Sequence, residues 1–180
     1  MKQTTIVGID YSLTSPCVCI NDGKKIMFYY LTKKKKHLGK IADNIVGEEH
    51  QEYNTPIERF SNISTWVMSK LPKSLKVYIE GYSFGSKGQA IFQIAENCGI
   101  LKYRLQEANI PYETIVPSVV KKGATGKGNA DKDMMYEAFN KETKIDLKKL
   151  FDTEKVGNPI SDIADSYFIQ KVGNENSSSN

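Results

Sequence analysis

Short β-branched runs alternate with amphipathic stretches along this chain. Residues 4–9 (TTIVGI) form an apolar run of strand length, the pattern of a buried strand. Residues 16–20 and 26–31 are two more, parted by Asn21-Asp22-Gly23, a strong turn signal. The first third therefore predicts a three-stranded antiparallel meander. Residues 32–39 (TKKKKHLG) predict an exposed basic loop with His37 as a surface side chain, and residues 40–54 a polar, irregular stretch. A helix then begins with clear punctuation. Thr55 is the N-cap, Pro56 takes the first helical position and Glu58 completes a capping box. Ile57, Phe60, Ile63, Val67 and Leu71 mark its apolar stripe, and Pro72 ends it. Residues 76–79 (KVYI) predict the fourth strand, with Glu80 at its end, and residues 81–88 a glycine-rich loop. A long helix is expected over 89–109, with Ile91, Ile94, Ala95, Cys98, Leu101 and Leu105 on one face. A fifth strand follows at 111–116 and a Lys/Gly-rich loop at 117–129. Helices are expected at 131–141 and 161–172.

Three strands, then helix, strand, helix, strand and helices predict an α/β fold. Its core is a five-stranded mixed sheet, a meander running on into parallel crossovers, with helices on both faces. Residues 1–172 read as a single domain, and the polar end 173–180 as a disordered tail. The 180 residues suffice for a core without disulfides or metal staples. The three cysteines form no C-x-x-C pair, so Cys17, Cys19 and Cys98 are expected to pack in the core. No run is long enough to span a membrane and no secretion signal is evident, so the expected location is the cytoplasm. The net charge is +4 but uneven. Residues 1–40 carry eight Lys against two Asp, and residues 118–132 four Lys against one Asp, whereas residues 41–62 carry one Arg against five acids. Basic segments on a nearly balanced chain suit an anionic partner that meets one face.

The candidate chemistry lies in four carboxylates. Asp10 follows the first strand and Glu80 the fourth. Functional groups gather at the carboxyl ends of parallel strands. If the two strands are neighbours, the two acids stand side by side, which is unfavourable unless a cation joins them. Asp162 and Asp165 are three apart at the start of the last helix and share one face. Carboxylates without a His/Cys cluster suit Mg²⁺, with Mn²⁺ as a substitute. Two such ions form a phosphodiester-cleaving centre.

Taken together, Gly8-Ile9-Asp10-Tyr11-Ser12, Tyr78-Ile79-Glu80 and Asp162-Ile163-Ala164-Asp165 resemble RuvC-type Holliday-junction resolvases, of the RNase H-like (retroviral integrase) superfamily. Residues 121–132, KKGATGKGNADK, are similar to that family's K-x4-G-x-G-x-A-[DE]-K segment in order and spacing. The resemblance implies that Asp10, Glu80, Asp162 and Asp165 bind two metal ions, and that Lys121 and Lys132 act near the scissile phosphate or the DNA backbone. It implies a homodimer that makes paired symmetric nicks in a four-way junction, leaving 5′-phosphates. The family's aromatic wedge lies three residues after the second acid. Ser83 stands there in this chain, flanked by Tyr82 and Phe84, which are candidates to meet unstacked bases. Lys33, Lys34, Lys35, Lys36, Lys87, Lys121, Lys122 and Lys127 become candidate phosphate contacts. A compact, Lys/Asn-rich chain suits a phage- or virus-encoded member.

Other readings fit less well. Lys127 lies in Gly-Lys-Gly, but a P-loop needs Ser or Thr where Gly128 stands. An actin-like ATPase would carry glycine at Ser12 and would need a second domain. A broader flap- or fork-cutting nuclease would share the acids. A catalytically silent junction-binding module should have lost at least one of them. The reading that results is a metal-dependent, structure-selective endonuclease acting on branched DNA.

Overall fold

A computed structural model describes residues 4–73, 75–82 and 90–178. Its strands are β1 Thr5–Asp10, β2 Cys17–Asn21, β3 Ile26–Thr32, β4 Gly39–Ala42, β5 Ile45–Glu49, β6 Leu75–Glu80 and β7 Tyr112–Ile115. Its helices are α1 Pro56–Lys70, α2 Ala90–Glu107, α3 Pro117–Thr125, α4 Lys132–Thr143, α5 Leu147–Leu150 and α6 Ile160–Ser178. The strands form one mixed sheet in the order β4-β5-β3-β2-β1-β6-β7. β1, β2 and β3 are the expected antiparallel meander, and β6 and β7 add to it in parallel.

The five expected strands are all present, and the described residues add two. The stretch 40–54, read as irregular, contains β4 and β5, with β5 parallel to β3. Both are short, and the polar residues Lys40, Asp43-Asn44 and Glu48-Glu49 around few apolar ones conceal them. Only Ile45 and Gly47 of β5 are fully inward. Exposed Lys40 protects the outer strand β4 from pairing with other chains. His37 corrects the surface reading of the basic loop. It lies in a 3-10 turn, Lys35–His37, and its side chain is buried against Phe151.

Period-2 alternation divides the sheet between two cores. Val7, Ile9, Val77 and Ile79 face α1 and α2, joined by Ile63, Val67, Leu101 and Leu105. Cys17, Cys19, Phe28, Tyr30 and Tyr78 face α6, joined by Phe139, Ile163 and Phe168. The three cysteines are free and buried, as expected. The expected α1 cap forms in part: Thr55 Oγ1 accepts from the Glu58 N–H at 3.2 Å, while Glu58 accepts from the Asn54 N–H at 3.0 Å, one residue before the N-cap. Ile57, expected on the buried stripe, is instead exposed. Among the described residues no helix is long and apolar enough to cross a membrane.

Two further expectations are corrected. The Lys/Gly-rich loop at 117–129 is largely the helix α3. Pro117 starts it and Gly126, at φ 79°, closes it in the left-handed conformation. Gly123 lies inside α3 because a Cβ there would come within 2.5 Å of Val172 on α6. Gly123 and Gly126 therefore mark a close helix crossing and a cap rather than a flexible loop. The last helix was expected to stop at Val172, before a disordered tail. α6 instead continues to Ser178. Tyr78 donates to Ser177 Oγ (3.0 Å) and Ser177 donates to Glu113 (2.9 Å), which ties those turns to β6 and β7.

Candidate active site

β1 and β6 run parallel with Ile9 opposite Ile79. The next pair in that register is Asp10 and Glu80, the last residue of each strand. Alternation places both on the face that α6 covers. α6 crosses β1 at Gly8, where a Cβ would lie 2.2 Å from the Ser166 carbonyl oxygen. This close approach brings the first turns of α6, with Asp162 and Asp165, to the carboxyl end of β1. Buried Ile163 and Ala164 anchor those turns to the sheet.

The acids feel one another. Burial pushes the Asp10 carboxyl well above the carboxylate range, and the charges of Asp162, Asp165 and Glu80 push it further, against the pull of Lys132. Glu80 is raised to about 7 by burial and by Asp165, opposed by Lys121. Asp162 is raised to about 7, again chiefly by burial, with the charge of Asp165 adding to it and Lys132 opposing. Asp165 is raised to about 6 by burial, and Lys121 and Lys132 restrain it. Lys121, on α3, and Lys132, the first residue of α4, therefore both direct their charge at the acids.

The donor set suits a hard cation. Buried Asp162 Oδ2 has no hydrogen-bond partner among the described residues. The neighbouring thiols are unsuited to ligation. Burial holds Cys17 protonated and pushes Cys98 up to about 11. Among the described residues no three His, Cys, Asp or Glu side chains close into a ready-made ion cage. Four oxygen donors with mutual repulsion and an unpartnered buried oxygen are nonetheless the chemistry that a divalent ion would compensate.

The sequence-predicted residues divide sharply. Asp10, Glu80, Asp162, Asp165, Lys121 and Lys132 come together. Tyr82 lines a cleft of about 330 Å³ beside Asp10 and Glu80, with the Lys102 ammonium 5.1 Å from its ring centre. Lys122 and Lys127 are exposed on and just after α3. Lys33 is engaged by Glu52 at 2.7 Å. Phe84, Lys87 and Ser83 lie outside the described residues. Sequence reasoning missed Lys102 and the loop 11–15, which lines the cleft or faces Asp162. Arg59 and His50 both reach the Leu13 carbonyl and hold that loop. An arginine one turn into a predicted helix gives no sequence signal of this contact.

The raised carboxylates predict a pH dependence. Glu80 binds its proton more tightly folded than unfolded, where its pKa is about 4.3. Its contribution to stability is complete below pH ~4 and is lost as pH rises through about 7. In chelator, Glu80→Gln should therefore melt higher than the unchanged protein at pH 8, by on the order of 3 °C, and equally at pH 4. Mg²⁺ should cancel that gain by stabilising only the chain that retains the acid. Thermal melts at both pH values, with chelator and with Mg²⁺, check this.

No protein-family model matches the chain. Over 116 residues it is 32% identical to the crossover junction endodeoxyribonuclease RuvC of Brachyspira hyodysenteriae, across 62% of this chain and 71% of that one. Its fold matches Thermus thermophilus RuvC with a TM-score of 0.60 at 16% identity, over 97% of both chains. It matches T. thermophilus RuvC in complex with a Holliday junction substrate at 0.61 and 18% identity, over 94% of this chain and 92% of that one. The yeast mitochondrial Holliday junction resolvase Ydc2 matches at 0.56 and 15% identity, over 94% and 77%. At such identities the structural likenesses establish the fold.

Proposed function

Because the chain belongs to the RuvC family of crossover junction endodeoxyribonucleases, we propose that it resolves four-way DNA junctions by metal-dependent phosphodiester hydrolysis. The observation that carries this reading is the meeting of Asp10, Glu80, Asp162 and Asp165 from three separate elements, with Lys121 and Lys132 directed at them. Asp10, Glu80, Asp162 and Asp165 would hold two Mg²⁺ ions, with Mn²⁺ able to substitute. Bound there, the ions would supply an activated water and stabilise the leaving oxygen.

The chain's own residues orient the substrate. Lys121 and Lys132 place positive charge beside the reacting phosphate, where it counters the charge that develops during cleavage. Lys122, Lys127 and Lys87 contact neighbouring phosphates, which positions the DNA without reading its sequence. Tyr82 and Phe84 offer aromatic faces to bases unstacked at the branch point. The products are a 5′-phosphate and a 3′-hydroxyl. Two copies acting as a homodimer make the paired nicks, and the protein two-fold matches that of the junction.

The test is nicking of an immobile four-way junction in Mg²⁺ beside linear duplex, a flap and a fork. Paired symmetric nicks confined to the junction are expected. Equal cutting of flap and fork would replace this reading with general branched-DNA processing. Binding without cutting in Mg²⁺ or Mn²⁺ would leave a junction-binding module.

A further inference from the structure

The basic run Lys33–Lys36 is divided by the fold. Lys33 pairs with Glu52, whereas Lys34 and Lys36 line a cleft of about 280 Å³ together with His37, Lys155, Phe151 and Asn158. Among the described residues no acidic side chain lines this cleft. At its edge sits an imidazole that the mechanism above does not use. His37 is only 6% exposed, and neither ring nitrogen has a hydrogen-bond partner among the described residues. An unpaired buried polar group is costly in water-poor surroundings, so a ring left this way is suited to a ligand that takes its N–H.

The cleft is preformed. The Tyr30 hydroxyl donates to the His37 carbonyl at 2.6 Å. Gly47 lets that carbonyl approach, since a Cβ there would lie 2.0 Å from it. The His37 N–H closes on the Lys34 carbonyl at 2.9 Å, and Lys34 Nζ reaches the Asn158 carbonyl at 3.1 Å. The ring itself rests edge-on against Phe151, with centroids 5.1 Å apart. Burial, with the charges of Lys34 and Lys36, holds the imidazole below its ordinary pKa. A neutral ring still offers one N–H donor.

We propose that Lys34, Lys36, Lys155 and His37 form an anion site that grips one backbone phosphate of the substrate DNA away from the reacting one. The placement rests on sheet register. Asp10 lies opposite Cys17, and Cys17 opposite Tyr30, the residue that pins His37. Two strand spacings, roughly 10 Å, separate the backbones of Asp10 and Tyr30, and the cleft lies past the Tyr30 hydroxyl that holds His37, so it would meet a phosphate other than the reacting one. The same loop that ends in Asn158 leads into α6 and its two acids. The DNA assignment rests on the nuclease reading above; the anion site itself does not.

The test has two arms. Inorganic phosphate is titrated into the full chain while the His37 ring resonances are followed by NMR, with His50, the second of its two histidines, as internal reference. A saturable shift at His37, lost in Lys36→Ala/Lys155→Ala, is expected. Junction binding is then measured in chelator over a range of salt. For the double variant the slope of log K against log salt should shallow by about 0.9, and affinity at 0.1 M should fall roughly tenfold. His37→Phe, which keeps the packing on Phe151, should weaken binding in the same direction. A His37 ring indifferent to phosphate would overturn the site. A shifted ring with an unchanged salt slope would overturn the DNA assignment and leave a site for free phosphate. If the unchanged chain binds no junction at all, the resolvase reading fails, while the phosphate titration still decides the site.

Discussion

Asp10→Asn is expected to bind four-way junctions as the unchanged chain does and to nick them at least 10²–10³-fold more slowly. The side chain is isosteric, so the end of β1 keeps its shape. What changes is charge at the one carboxyl that feels all three other acids and Lys132. In the absence of a cation that convergence is unfavourable, so neutralising Asp10 should not harm the fold. It should raise the melting temperature in chelator and remove the stabilisation that Mg²⁺ gives. The measurement is single-turnover nicking of an end-labelled junction, with binding measured separately in chelator. Retention of the full rate would remove Asp10 from the site and with it the reading of the four acids as one centre.

Gly8→Ala should be damaging for a different reason, with no charge involved. The new Cβ would meet the Ser166 carbonyl oxygen at 2.2 Å, the Gln170 nitrogen at 2.5 Å and its Cβ at 2.7 Å. Two of these atoms are backbone, so α6 must retreat from β1. Overpacking of this kind costs about 1–3 kcal/mol, or roughly 2–4 °C of melting temperature per kcal/mol in a chain of this size. Activity should fall further than stability, because α6 carries Asp162 and Asp165, and a misplacement of about 1 Å can cost 10²-fold. Gly173→Ala is the control. It clashes with the Tyr78 ring at 2.4 Å, one to two turns further along the same helix. It should lose comparable stability while the acids at the start of α6 stay nearer their places. Melts and nicking rates of the two variants, measured together, separate packing from positioning. Equal activity in the two at equal stability would show that the Gly8 contact does not set the site.

Much of this was legible in the sequence because it depends on local rules. The five strands that carry the sheet are apolar runs bounded by turn residues. α1 announces itself through Thr55, Pro56 and Glu58, and Asp10 and Glu80 are recognisable as acids ending apolar strands. The resemblance of the Asp10, Glu80 and Asp162–Asp165 segments, together with the spacing of residues 121–132, pointed to the family that the comparison with the Brachyspira relative establishes.

What was not legible depends on contacts between residues far apart in the chain. β4 and β5 are short and polar and exist because β3 offers an unpaired edge. Residues 117–129 read as a loop because Gly123 and Gly126 count as breakers, whereas one permits α3 to cross α6 and the other caps α3. The final turns of α6 are stabilised by Tyr78 and Glu113, 99 and 64 residues from Ser177. His37 looks like part of a solvated basic run, but Phe151, brought over from beyond α4, packs against its ring. Which residues carry charge and which segments seek a core follow from side-chain chemistry and local periodicity, and both can be read along the chain. Which charges meet was decided by the tertiary structure alone, because the parallel register of β1 with β6 and the approach of α6 at Gly8 are set by packing between segments up to about 160 residues apart.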